Sequence, residues 1–160
     1  MFTQLFEELS IKTNGNKLIK ITENILNFTD RSKISNGILN ISILHTSASL
    51  IVQENADDDV QKDILSFYDK LVPMDKDLYI HNTEGKDDMP AHIKSSLTNS
   101  NLTLSIKNNK LILGTWQGIY LFEHRIEQQI RKVFLHIIGE KQIVNLLDEM
   151  FIGRRPVMAG

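Results

Sequence analysis

Histidine and carboxylate are the residue types through which this chain can do chemistry. His81 and His92 flank a polar segment carrying Glu84, Asp87 and Asp88, and His45 closes the apolar run from Ile38 to Leu44. Zinc takes imidazole nitrogen and carboxylate oxygen as ligands, and an open coordination position holds a water for Lewis-acid chemistry. Asp88 and His92 stand four residues apart, so on one helix their side chains meet. There Asp88 is a ligand, a helix cap or the group that orients the ring. Neither an HExxH helix nor a cysteine pair is present, so the same spacing also describes a solvated acidic loop.

Two other patterns can contribute polar groups. Gly114-Thr115-Trp116-Gln117-Gly118 holds the single tryptophan between glycines that permit close backbone approach, which suits a ring-stacking wall or simple packing. It is not a phosphate-binding P-loop. His45-Thr46-Ser47-Ala48-Ser49 offers hydroxyls but lacks the Gly-x-Ser-x-Gly elbow, so turn or ligand-binding roles fit better than a nucleophile. Glu123-His124-Arg125 adds an anion-orienting patch if Arg125 faces the histidines. Asn55 to Asp59 reads as a helix start, with Glu54 and Asn55 near enough in sequence to serve the His45 end. His136 alternates with Phe134 and Ile138, as a buried or interface histidine does.

These groups must be held by a scaffold, and 160 residues with 41% hydrophobic content suffice for one core. Eighteen basic and twenty acidic side chains give a net charge of -2, which provides no global field for nucleic acid or an anionic membrane. Cysteine is absent, which removes thiolate ligands, thiolate catalysis and disulfides. The opening MFTQLFEELS resembles neither a signal peptide nor a membrane span, so a cytoplasmic location is expected.

Periodicity predicts strands over 5–11, 17–20, 38–44, 50–52, 119–122 and 130–138, with Gly37 as a separator. A hairpin is expected across Thr13-Asn14-Gly15-Asn16, and a clearer one across Asn108-Asn109. Helices are expected after Thr22 as cap, after Asn55–Asp59, around Pro90, and from Ile143 to Phe151. Strand 130–138 is apolar on both faces and belongs inside a sheet or an interface.

Taken together, HTSAS, Asn55-Ala56-Asp57, Glu84-Gly85 with Asp87-Asp88-Met89-Pro90-Ala91-His92, and GTWQG resemble the YjbQ-like (UPF0047) family, also called secondary thiamine-phosphate synthase. The resemblance runs from Phe2 to Glu140. It implies an α+β fold of two packed β-sheets with flanking helices, and a homotrimer with sites near subunit boundaries. Residues 1–140 would be the domain and 141–160 an extension packed on it.

The resemblance further implies a divalent metal on His45, His81 and His92, zinc preferred and magnesium or manganese possible. Catalytic roles fall to His45, Arg125 and Asp88, and ligand contacts to Ser47, Asn55, Thr115, Trp116 and Gln117. The implied reaction joins a hydroxymethylpyrimidine pyrophosphate to thiazole phosphate with release of pyrophosphate. A metal-dependent phosphohydrolase and a non-catalytic phosphate-ligand or metal-binding trimer are the alternatives. Ile126-Glu127-Gln128-Gln129 and Lys86 depart from the commoner family pattern, which bears on substrate geometry more than on fold.

Overall fold

A computed structural model describes residues 2–141. The expected C-terminal helix and the extension beyond residue 141 lie outside the described residues. The elements in order are β1 (Phe2–Lys12), β2 (Lys17–Lys20), α1 (Thr22–Ser32), β3 (Ile34–Ile43), β4 (Ala48–Glu54), α2 (Asp58–Leu71), a 3-10 turn (Lys76–Leu78), α3 (Asp88–Ser96), β5 (Asn101–Lys107), β6 (Lys110–Leu111), β7 (Gln117–Glu123) and β8 (Ile130–Lys141). The strands form a five-stranded sheet ordered β1-β8-β3-β5-β6 and a three-stranded sheet ordered β2-β7-β4, all antiparallel. This is the α+β architecture with two sheets that the sequence led us to expect. Among the described residues no helix is long and apolar enough to cross a membrane.

β8 lies between β1 and β3, inside the sheet as expected; one of its faces is buried, while the other, with Phe134, His136 and Ile138, is half-buried to exposed. Val133, Leu135 and Ile137 point into the main core with Leu39 and Ile41 of β3, Ile25 and Phe28 of α1, Leu50 of β4, and Ile119 and Leu121 of β7. β7 is covered on its other face too. There Tyr120 and Phe122 meet Ile64, Leu65 and Tyr68 of α2. Truncating a fully buried leucine such as Leu121 to alanine costs about 2–5 kcal/mol, so this layer fixes the sheets relative to each other.

Three local expectations are corrected. The turn at residues 13–16 closes no hairpin, because β1 pairs with β8 and β2 with β7; Thr13 donates its N–H to Gln129 O and the chain changes sheet there. Thr22 does not cap α1. Its hydroxyl accepts the Ile119 N–H at 2.9 Å and ties the helix to β7 instead. Gly37 is no separator but an interior residue of β3. A Cβ on Gly37 would meet Ile138 O at 2.3 Å, and one on Gly139 would meet Asn36 O at 2.2 Å, so the pair lets two backbones approach. The Asn108-Asn109 hairpin forms as expected, both residues at positive φ (52° and 61°), which suits the primed turn of a two-residue loop.

Candidate metal centre

β4 and β7 pair in register from Ala48–Glu123 to Glu54–Gln117, so this ladder has two ends that carry different residues. At the first end, His45 to Ser47 leave β3 for β4, Glu123 to Arg125 leave β7, and α3 begins at Asp88. At the second end lie Asn55 and the Thr115-Trp116-Gln117 turn. Six residue steps of strand separate the ends by roughly 20 Å.

The first end gathers the titratable groups. One ligand atom from each of His81, Asp88 and His92 lies within 4.8 Å of the others. Asp88 is their hub and is only 2% exposed. Its Oδ2 lies 2.7 Å from His81 Nε2 and 3.6 Å from His92 Nε2. Tetrahedral zinc with bonds near 2.0–2.1 Å places its ligands roughly 3.3 Å apart, so these separations bracket what the ion needs. His92 Nδ1–H donates to Thr46 O at 3.0 Å, which fixes the tautomer and leaves the Nε2 lone pair facing Asp88. Because Asp88 Oδ2 is an acceptor, His81 Nε2–H is the donor of this bond, and an ion held on Nε2 would take the place of that proton.

Arg125 anchors this group. Its Nη1 bonds Asp88 Oδ1, its Nε donates to Asp87 Oδ2 at 3.0 Å, and its Nη2 donates to Glu84 O at 2.9 Å. Burial alone would raise the Asp87 carboxyl, but the Ile126 N–H and the Arg125 guanidinium overcome that and hold it below the ordinary value. Gly85, at φ +112°, provides the backbone bend ahead of Asp87. Two buried carboxylates share one guanidinium, which leaves a negative charge where the imidazoles converge. A cation there offsets the desolvation of Asp88. With three of its five N–H donors on protein acceptors and its charge shared between Asp87 and Asp88, Arg125 acts within this chain as a positioning residue for Asp88.

A second, fully enclosed layer supports the first. Arg131 donates to both Glu123 oxygens at 2.7 and 2.6 Å and to Ser47 O at 3.2 Å. Glu123 also accepts from Thr13 Oγ1 and from the Arg125 N–H, so it sets the backbone from which the guanidinium projects. His124 is buried with Nε2 2.8 Å from Ser49 Oγ and Nδ1 without a partner, and burial pushes its pKa down to about 3. Lys94 of α3 is also buried and reaches Asp69 at 2.5 Å. The chain order gives no sign of the Glu123–Arg131 or Lys94–Asp69 pairs; the only signal was charge embedded in apolar runs.

His45 lies outside the three-residue group. Its Nε2 accepts the Lys132 N–H at 2.8 Å and continues the β3–β8 ladder with an imidazole in place of a carbonyl. Its proton is therefore on Nδ1. Burial, with Arg131 nearby, lowers its pKa. His45 and His92 do meet across a cleft of about 350 Å³, where Thr46 and the hydroxyls of Ser95, Ser96, Thr98 and Ser100 complete the lining. Ser47 contributes its carbonyl to Arg131.

The second end is different, and it separates residues that the sequence reading grouped together. Asn55 bonds Gln117 O through its side chain and Trp116 O through its N–H. Gln117 Oε1 accepts the Gly114 N–H at 2.7 Å. Trp116 is 64% exposed on this turn, beside exposed Thr115. Within one chain Asn55, Thr115, Trp116 and Gln117 do not reach the histidines, because β4 carries Glu54 and Asn55 away from His45 along its length.

Comparison with known proteins places this arrangement. The family model for UPF0047 protein YjbQ-like matches residues 7–140. The chain belongs to the UPF0047 family. It is 46% identical over 139 residues to a UPF0047 protein of Synechocystis, covering 87% of this chain and 95% of that one. To YjbQ of Escherichia coli O157:H7 it is 41% identical over 141 residues, covering 88% and 100%. A crystal structure of a YjbQ/UPF0047 protein from Clostridium acetobutylicum superposes with a TM-score of 0.76 at 43% identity, covering 82% and 98%. A YbjQ-like protein from Sulfolobus solfataricus shares the fold with a TM-score of 0.81 at 24% identity, covering 88% and 100%. The UPF0047 match ends one residue before β8 does and includes every residue named at the two ends of the β4–β7 ladder.

Proposed function

We propose that this UPF0047 chain is a metal-dependent enzyme acting on a phosphorylated small molecule, with a divalent ion held by His81, Asp88 and His92. The observation that carries the reading is the tautomer of His92: Thr46 O holds Nδ1–H and frees Nε2 toward a buried carboxylate already fixed by Arg125. Two imidazoles and one carboxylate favour zinc over magnesium, which prefers carboxylates and waters. When bound, the ion supplies Lewis acidity toward a phosphoryl oxygen and lowers the pKa of a water.

The chain's own residues do the rest. Arg125 and Asp87 hold Asp88 in place, Thr46 O orients the His92 ring, and the cleft beside His92 receives the substrate. Phosphoester hydrolysis fits this arrangement best. Water oxygen attacks phosphorus, the ester P–O bond breaks, and its electron pair leaves with the alcohol oxygen, which takes up the proton that the attacking water loses.

The synthase reaction implied by the family resemblance is the second reading, and the exposed Trp116 favours it as a stacking surface for an aromatic ring. That reading needs a neighbouring chain of the expected homotrimer to bring Trp116 to the histidines. A cytoplasmic homotrimer belongs to this proposal. The non-catalytic alternative predicts saturable phosphate-ligand binding with no product.

One experiment separates them. Metal-replete protein is analysed for zinc, magnesium and manganese and assayed against a panel of phosphate esters and the two thiamine-phosphate precursors, beside His92→Ala. We expect stoichiometric metal and ester hydrolysis in the parent, and loss of both in the variant. Thiamine phosphate as the favoured product would instead establish the synthase. Equal and negligible metal in parent and variant would sink the metal centre.

A further inference from the structure

The cleft beside His92 has a hydrogen-bonding character that names the part of the substrate it takes. Three of its hydroxyls have already spent their protons. Ser95 Oγ donates to Ala48 O at 3.0 Å, Ser96 Oγ to Ile93 O at 2.8 Å, and Thr98 Oγ1 to Lys94 O at 2.8 Å. What remains on each is acceptor capacity.

The other lining groups differ. His45 carries its proton on Nδ1, because Nε2 is committed to the Lys132 N–H. Among the described residues the Thr46 and Ser100 hydroxyls have no protein partner, so each still has a proton to donate. The lining thus offers both acceptors and donors, and no lining residue bears a permanent positive charge. The cations close by are spent elsewhere: Lys94 on Asp69, Arg125 on Asp87 and Asp88, and the Lys132 ammonium on Glu8 and Ser10.

Away from the ion proposed at His92, a phosphate in this cleft would find no counter-charge, and an ammonium no carboxylate lining. A vicinal set of hydroxyls both donates and accepts, is neutral, and matches this mixed lining. We propose that the cleft binds the polyhydroxylated part of the substrate, making the class a sugar or polyol phosphate with its phosphoryl group at His81, Asp88 and His92. This rests on the metal-centre reading for the phosphoryl group, but the cleft itself is tested without it.

The test is amide NMR on metal-loaded full-length protein titrated separately with a free pentose, inorganic phosphate and an alkylammonium of similar size. We expect the pentose to shift residues 95–100 and Thr46 saturably, with affinity reduced about tenfold or more in Ser96→Ala/Ser100→Ala. That doubly substituted chain changes exposed side chains only, and a spectrum otherwise like the parent's shows that it is folded. Phosphate is expected to shift residues around His81 and His92 only. Shifts at residues 95–100 from phosphate or ammonium but not pentose would overturn the polyol assignment, as would pentose binding that ignores both substitutions. Absence of metal with pentose binding intact would fail the metal reading and leave the cleft standing.

Discussion

The two ends of the β4–β7 ladder are built from the same two strands yet hold their residues by different means. At the Ala48–Glu123 end side chains hold side chains: Arg131 grips Glu123, Glu123 fixes Arg125, and Arg125 fixes Asp88 beside two histidines. At the Glu54–Gln117 end the chain is held largely by contacts to backbone, and Trp116 is left exposed. The first end buries charge and therefore needs partners for it. The second buries little and imposes little. A site whose ligands depend on one another is the one that a single substitution should disrupt.

The largest expected effect is at the foundation of the first end. Arg131→Met leaves Glu123 buried without its partner and should destabilise the protein by about 3–5 kcal/mol, read from urea unfolding. Loss below about 1 kcal/mol would mean that the two ends are energetically alike.

Acidification probes the same layer. His124 is neutral in the fold down to a pKa of about 3, whereas the unfolded residue titrates near the ordinary imidazole value of 6.5. The unfolded chain therefore binds the proton first, and stability is full above that upper value and falls as pH drops toward the lower one. The slope from this group approaches about 1.4 kcal/mol per pH unit. Chemical denaturation at stepped pH should show the decline, and His124→Gln should flatten it; an unchanged slope in that variant would assign the decline to other groups.

A smaller effect is expected one layer up. Arg125→Met should weaken metal affinity about 10–100-fold by releasing Asp88, while the parent's five-stranded sheet stays folded. Competition with a chromophoric chelator measures it, and unchanged affinity would remove Arg125 from the support of the site.

The smallest effect belongs to the other end. Trp116→Ala should change stability by no more than about 0.5 kcal/mol, because its ring is mostly in water. Metal affinity should be untouched. A large loss of either would show that this end is coupled to the first, as a neighbouring chain in a homotrimer would do.

Much of this was written locally in the chain. Alternation marked the strands, and the double-asparagine turn marked β5–β6 because its residues tolerate positive φ. The four-residue step from Asp88 to His92 placed both on one face of α3, and the absence of cysteine limited the ligands to nitrogen and oxygen. The family motifs named the same polar residues. None of these signals contains a distance across the fold.

Only the tertiary structure decided which ends meet. Antiparallel pairing of β4 with β7 brings Glu123 to Ala48 and sends Asn55 to Gln117, so motifs adjacent in sequence separate by a strand length. The same pairing, with the β3–β8 ladder beside it, spends His45 Nε2 on a backbone N–H and Arg125 on two aspartates. Residue types determine which bonds a side chain can make, since donor and acceptor capacity is local chemistry. Which bonds are made depends on non-local strand pairing, because burial requires each polar group to find a partner among whatever the fold places beside it.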